Sequence, residues 1–170
     1  MPTIDELIDK LRRLSPMPED GSLSTDIIDQ YELLISQLAD MSDPRCIGAL
    51  LDSFGYGEGH GTYWKTLHLV ESFPVEDVDP LLIDRLKRGS RGTKMWAAYM
   101  LGRSRNHSAI TELILCLRDG DHLVRRNSAM ALGMIGDPQV RTDLETCLDD
   151  PSEEVRVVAK GALKRLSNRT

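Results

Sequence analysis

At 170 residues and 19.0 kDa the chain has the length for one domain or a short repeat array with a genuine core. A net charge of -6 with a sequence pI near 5.2 excludes the nucleic-acid binders, which need a cationic footprint for phosphate, and leaves a basic protein as the partner that charge favours. Three cysteines without a CxxC exclude a disulfide framework and a zinc site, so no cofactor or metal is expected; no apolar run approaches the roughly 20 residues that span a bilayer, so neither is a membrane.

Taken in chain order, MPTIDELIDKLRRL reads as a helix over about 3–14. Its acidic residues and broken apolar pattern are unlike a signal peptide, which makes the cytoplasm the expected compartment. SPMPEDGSLS over 15–24 is a turn-rich connection. Helix pairs are then predicted near 25–40 with 44–53, 62–72 with 76–87, 92–103 with 106–118, and 121–135 with 138–148, closed by a helix over 152–167. With aromatics at 5% and little clustering of Val, Ile, Tyr and Thr, nothing suggests strands.

A 31-residue step underlies this map. It carries Val124-Arg125 onto Val155-Arg156, Leu101-Gly102 onto Leu132-Gly133, and Cys116 onto Cys147. The register extends upstream without a gap: Leu51, Leu82, Leu113 and Leu144 share one column, Ile47, Val78, Ala109 and Val140 a second, and Ala39, Val70, Leu101, Leu132 and Leu163 a third. Leu86, Leu117 and Leu148 form a fourth, with Gly55 as its early exception. Within a unit, Gly136-Asp137-Pro138 separates two amphipathic segments, Asp137 as a helix cap and Pro138 at the first helical position. One such pair cannot bury its apolar face alone, so the pairs must stack.

The pattern Asp119, Val124-Arg125, Ala129, Ala131-Leu132-Gly133 and Gly136-Asp137-Pro138 resembles the HEAT-like repeats also found in phycobilin lyases. The resemblance implies an all-α fold, a right-handed α-solenoid of four to five HEAT-like helix pairs forming a single domain over 1–170. It also implies that Asp119, Asp150, Arg125 and Arg156 form a structural ladder between repeats. The cysteines Cys46, Cys116 and Cys147 mostly occupy apolar columns, as buried thiols do.

Function is expected where stacking alone does not explain the sequence. Gly55-Tyr56-Gly57-Glu58-Gly59-His60-Gly61 reads as a flexible loop with access to positive φ. No Lys-Ser/Thr follows it, so a linker or partner-contacting loop is favoured over a phosphate cradle. On the next helix Trp64, His68 and Glu71 recur at i, i+4, i+7 beside the core columns. Trp64 reads equally as an interface anchor or as core, His68 as a packing residue rather than a general base, and Glu71 takes the slot filled by Gly102 and Gly133. Trp96, Tyr99, Arg103 and Asn106 make a second aromatic and charged cluster.

LLDSFGYGEGHGTYWKTLHLVESF followed by WAAYMLGRSRN, roughly 50–106, resembles a HEAT-like immunity protein family of bacterial polymorphic and contact-dependent toxin systems. The shared elements are Asp52-Ser53-Phe54, Trp64, His68, Glu71-Ser72-Phe73, Arg103 and Asn106. The resemblance implies a bacterial immunity protein that binds and neutralises a basic toxin domain. The expected partner contacts are Asp52, Tyr56, Glu58, His60, Tyr63, Trp64, His68, Glu71, Trp96, Tyr99, Arg103 and Asn106. A generic HEAT-like adaptor and a bilin-lyase-like protein are the alternatives. With no Ser/His/Asp set, HExxH or paired-carboxylate motif, the chain is expected to bind rather than catalyse.

Overall fold

The computed structural model describes residues 2–168, and every regular element among them is a helix. None is long and apolar enough to cross a membrane. The chain divides into two compact units, Met1–Leu81 and Leu82–Thr170.

In the first unit α1 (Ile4–Leu14) packs on α2 (Thr25–Met41) and α3 (Ile47–Ser53), and α4 (Tyr63–Glu71) packs on α2 and α3. α1 starts on a reciprocal cap: the Thr3 hydroxyl accepts the Glu6 amide at 3.3 Å and the Glu6 carboxylate accepts the Thr3 amide at 2.9 Å. Ile4, Leu7, Ile8 and Leu11, at helical spacing, bury its inner face. The connection at 15–24 is part of the packing rather than a free linker. Met17 is buried and its amide donates to the Ser53 carbonyl at 3.1 Å. At the centre of the unit the Tyr31 hydroxyl bonds Ser53 Oγ at 2.8 Å and Thr66 Oγ1 at 2.6 Å, joining α2, α3 and α4. Burial pushes the Tyr31 pKa up to about 12, so the phenol stays neutral throughout the working pH range.

α5 (Val75–Arg88) carries the division between Leu81 and Leu82. In the second unit α6 (Arg91–Arg103), α8 (His122–Ile135) and α10 (Glu153–Ser167) stack in succession, with α7 (Ile110–Cys116) and α9 (Arg141–Thr146) as the second helices of their pairs. The close approach rests on a glycine column. A Cβ on Gly102 would sit 2.7 Å from Ala131 Cα, and one on Gly133 2.5 Å from Ala162 Cβ. Asp137 caps the segment after the break, as the Gly-Asp-Pro spacing predicts, its Oδ1 accepting the Gln139 amide at 2.9 Å, but the segment opens as a 3₁₀ turn at Pro138–Val140.

Two repeat columns are buried along their whole length, those of Leu51 and of Ile47. The third is partly corrected: Val70, Leu101 and Leu132 are buried, but Ala39 is exposed and Leu163 half-buried. On α2 the inward position is Leu38, so the face of this 17-residue helix is offset by one residue from the 31-residue register.

Candidate functional site

The glycine-rich segment is shaped by Asp20. Its carboxylate accepts the amides of Glu58 at 3.0 Å and Gly59 at 2.8 Å, and its carbonyl lies 3.0 Å from His60 Nε2. Gly59 has φ +57°, and a Cβ there would meet the Tyr63 ring at 2.5 Å. The expectation of a flexible loop is therefore corrected: the segment is a tight turn wrapped around an internal carboxylate. The paired amides that could have cradled a phosphate already hold an anion.

α4 separates two stripes one residue apart. Tyr63, Thr66, Leu67 and Val70 point into the core, while Trp64, His68 and Glu71 lie on the exposed side, Trp64 at 40% exposure. Tyr63 thus leaves the candidate set: it is fully buried, its ring edge-on to Tyr31 at 6.1 Å and to Phe54 at 5.6 Å. The i, i+4, i+7 spacing of Tyr63, Leu67 and Val70 carries that signal in the sequence. The start of α4 is fastened by Glu32, which accepts Thr62 Oγ1 at 2.7 Å and pairs with Lys65. The hydrogen bonds from Lys65 and Thr62 hold the Glu32 carboxyl below its usual range. Asp52, Glu58 and His60 are exposed and Tyr56 half-buried.

In the second unit Trp96 is 5% exposed and belongs to the core, like Asn127 one repeat on, whose Nδ2 donates to the Met95 carbonyl at 3.2 Å. Trp96 therefore also leaves the set of accessible contacts. Tyr99 stands edge-on to Trp96 at 5.9 Å, and the Arg103 guanidinium lies 5.8 Å from the Tyr99 ring centre, within reach of a cation–π contact. Asn106 serves the backbone, its Oδ1 accepting the Ser108 amide at 2.7 Å to cap a 3₁₀ turn.

The expected ladder is present at Arg125 and Asp150 and gains a rung at Lys94 and Asp119, while Arg156 donates to the carbonyls of Asp150 and Pro151 rather than to a ladder acid. Arg125 grips Asp150 with Nε at 2.7 Å and Nη2 at 2.9 Å while its Nη1 donates to the carbonyls of Asp119 and Gly120. Lys94, one step earlier, reaches Asp119 at 2.8 Å. In both rungs the cation reaches an acid 25 residues further on. All three thiols are buried and their pKa values raised by that burial, Cys46 to about 11, which leaves none activated as a nucleophile. Among the described residues no three His, Cys, Asp or Glu side chains are grouped to hold a metal.

Charge adds a feature that the whole-chain total conceals. Residues 1–81 carry 16 Asp and Glu against 5 Lys and Arg, a formal -11, and residues 82–170 carry 11 against 16, a formal +5; together they give the chain's -6. The exposed α4 stripe belongs to the acidic unit.

These features define an α-solenoid built from helix pairs. The model of the HEAT-repeat family matches residues 80–164, and the chain belongs to that family. Phycocyanobilin lyase subunit alpha of Nostoc sp. is 32% identical over 114 residues, 59% of this chain and 41% of that protein. Deoxyhypusine hydroxylase of Gallus gallus is 37% identical over 93 residues, 51% of this chain and 31% of its own length. The chain thus spans well under half of each of these curated relatives. Among solved structures, human deoxyhypusine hydroxylase superposes with a TM-score of 0.59 at 19% identity, over 96% of this chain and 63% of that one. A designed armadillo repeat protein superposes with a TM-score of 0.53 at 15% identity, over 94% and 91% of the two chains. Both likenesses are of fold.

The relatives correct one expectation. The absence of a compact catalytic motif suggested a chain that binds without catalysing, yet the relatives are named as enzymes, among them deoxyhypusine hydroxylases of three vertebrates. On a repeat scaffold, groups that act together can come from different repeats, tens of residues apart, so no short motif marks them. None of the relatives named here is an immunity protein.

Proposed function

We propose that this HEAT-repeat chain works as a protein-recognition element of an enzyme-type assembly, engaging a basic protein surface through its acidic first unit with Trp64 as the anchor. The observation that carries the reading is the exposed Trp64 beside His68 and Glu71 on α4, in a unit of formal charge -11. A partly exposed tryptophan on a rigid helix is the kind of side chain that dominates an interface, and the surrounding carboxylates speed encounter with a cationic partner. The enzyme setting follows the lyase relative, which is itself named as a subunit.

The test is affinity purification from the native host with wild-type chain and with Trp64→Ala, followed by titration of the recovered partner. The variant is expected to bind at least roughly thirtyfold more weakly, about 2 kcal/mol, with an unchanged melting curve. Equal affinity for the two chains would remove the α4 surface from the reading. A narrower form, neutralisation of a toxin domain, is supported by the resemblance over 50–106. Survival of cells that co-express the chain and a toxin domain encoded beside it tests that form separately; lack of protection would discard neutralisation alone.

A further inference from the structure

Two consecutive stacked helices, α6 and α8, end in a left-handed turn. α8 ends on Gly136, at φ +78°, whose amide donates to the Leu132 carbonyl at 3.0 Å. One 31-residue step earlier, the turn after α6 passes through Arg105 at φ +52°. The Arg105 amide donates to the Gly102 carbonyl at 3.2 Å and the Asn106 amide to the Leu101 carbonyl at 3.1 Å, which fixes the backbone there. Glycine adopts a left-handed conformation freely, whereas any larger residue is strained in it. Arginine therefore stands where the turn alone favours glycine.

The fold makes no use of the Arg105 guanidinium. Arg105 is exposed, and among the described residues no carboxylate meets its side chain. The acid of the next turn, Asp137, faces His107 at 3.5 Å and caps the Gln139 amide instead. Residues 103–111 hold Arg103, Arg105 and His107, all exposed, and no acid. The amides of the turn are engaged within the fold. Those of Ser104, Arg105, Asn106 and Ala109 donate to backbone carbonyls, and that of Ser108 to Asn106 Oδ1 at 2.7 Å. A tetrahedral phosphate is commonly held by free amides, and these five offer none. A planar carboxylate is matched by the guanidinium fork alone.

We propose that Arg105 is the contact residue for a carboxylate-bearing segment of a separate acidic protein, with Arg103 and His107 flanking it along the α6–α7 turn. The left-handed backbone sets the direction in which the side chain leaves the turn, and a fork presented from fixed backbone loses less freedom on binding. Charge complementarity supports the partner, because the turn belongs to the unit of formal charge +5, which attracts an acidic segment. A second copy of this chain is a poorer source of that acid. Its turn aspartates Asp20, Asp43, Asp121 and Asp137 already accept backbone amides. The site lies in the second unit and does not rest on the reading of the α4 stripe.

The experiment titrates the full chain with an acetylated, amidated hexapeptide of alternating Glu and Asp, while following the Nε–H resonances of its arginines. Arg118 is the internal control: it is exposed and meets no acid among the described residues, but its φ is not left-handed. A saturable shift is expected at Arg105 and not at Arg118. Arg105→Lys, which keeps the charge and loses the fork, is expected to weaken binding about tenfold. Arg105→Gly is expected to abolish binding while melting no lower than wild type, because glycine relieves the turn. Parallel shifts at Arg105 and Arg118, or wild-type affinity in Arg105→Gly, overturn the proposal. Inorganic phosphate that saturates the Arg105 shift at a lower concentration than the peptide overturns it by assigning the site to phosphate. Self-association in sedimentation that Arg105→Gly removes overturns it too, by assigning the site to a second copy.

Discussion

Single side chains decide which faces are free. Tyr63 and Trp64 are adjacent and both aromatic, yet the first is buried and the second 40% exposed, because a step of one along a helix turns a residue by about 100°. The spacing made that legible for Trp64, His68 and Glu71. Asp20 was not legible, because its partners are backbone amides 38 and 39 residues away and no pattern in the sequence marks so remote a contact. Asp20→Ala is expected to destabilise the chain by about 1–2 kcal/mol and to speed hydrogen exchange at Glu58 and Gly59 selectively. Uniform exchange across α4 and the loop would contradict that role. The ladder acid Asp150 supplies a pH test. The Arg125 hydrogen bonds hold its carboxyl below the usual range. The stability it contributes is therefore complete above the unfolded aspartate value of about 3.9 and is lost as pH falls through the lower folded value. Asp150→Asn is expected to cost about 2 kcal/mol in urea unfolding at neutral pH, with the gap to wild type narrowing once pH drops below that of an unfolded aspartate.

At the scale of elements, nearly every helix was legible, because amphipathic period, caps and Gly-Asp-Pro breaks agree. What the map missed is that the second helices open or close in 3₁₀ turns, as at His107–Ala109 before α7 and Cys147–Asp149 after α9, since hydrophobic spacing does not distinguish the two windings over three residues. Helix glycines make a paired prediction. In an exposed helix Gly→Ala stabilises by roughly 0.5–1 kcal/mol. Gly161 on α10 has open space around its Cβ position, so Gly161→Ala is expected to raise the melting temperature. At Gly133 the added methyl would lie 2.5 Å from Ala162 Cβ, so the same substitution is expected to reverse sign and lower it, as α8 is pushed off α10. Thermal melts of the two variants check both signs.

Over the whole molecule, the all-α repeat class was readable because the 31-residue step recurs. The distribution of charge was hidden inside a total, since a net -6 is the sum of -11 and +5. The basic partner proposed for the α4 stripe is the one that the acidic unit favours. The candidate site was only partly legible, because burial removed Tyr63 and Trp96 and turn-capping claimed Asn106. The ladder has a consequence for lineage as well as for stability. Lys94 and Arg125 each reach an acid 25 residues on, so the cation and its acid act as a ruler along the chain. A single-residue insertion between them, at a helix that must also keep its glycine column in register, breaks the rung and the packing together. Descendants of such an array are expected to grow and shrink by duplication and loss of entire 31-residue modules, with smaller length changes confined to segments the ruler does not span.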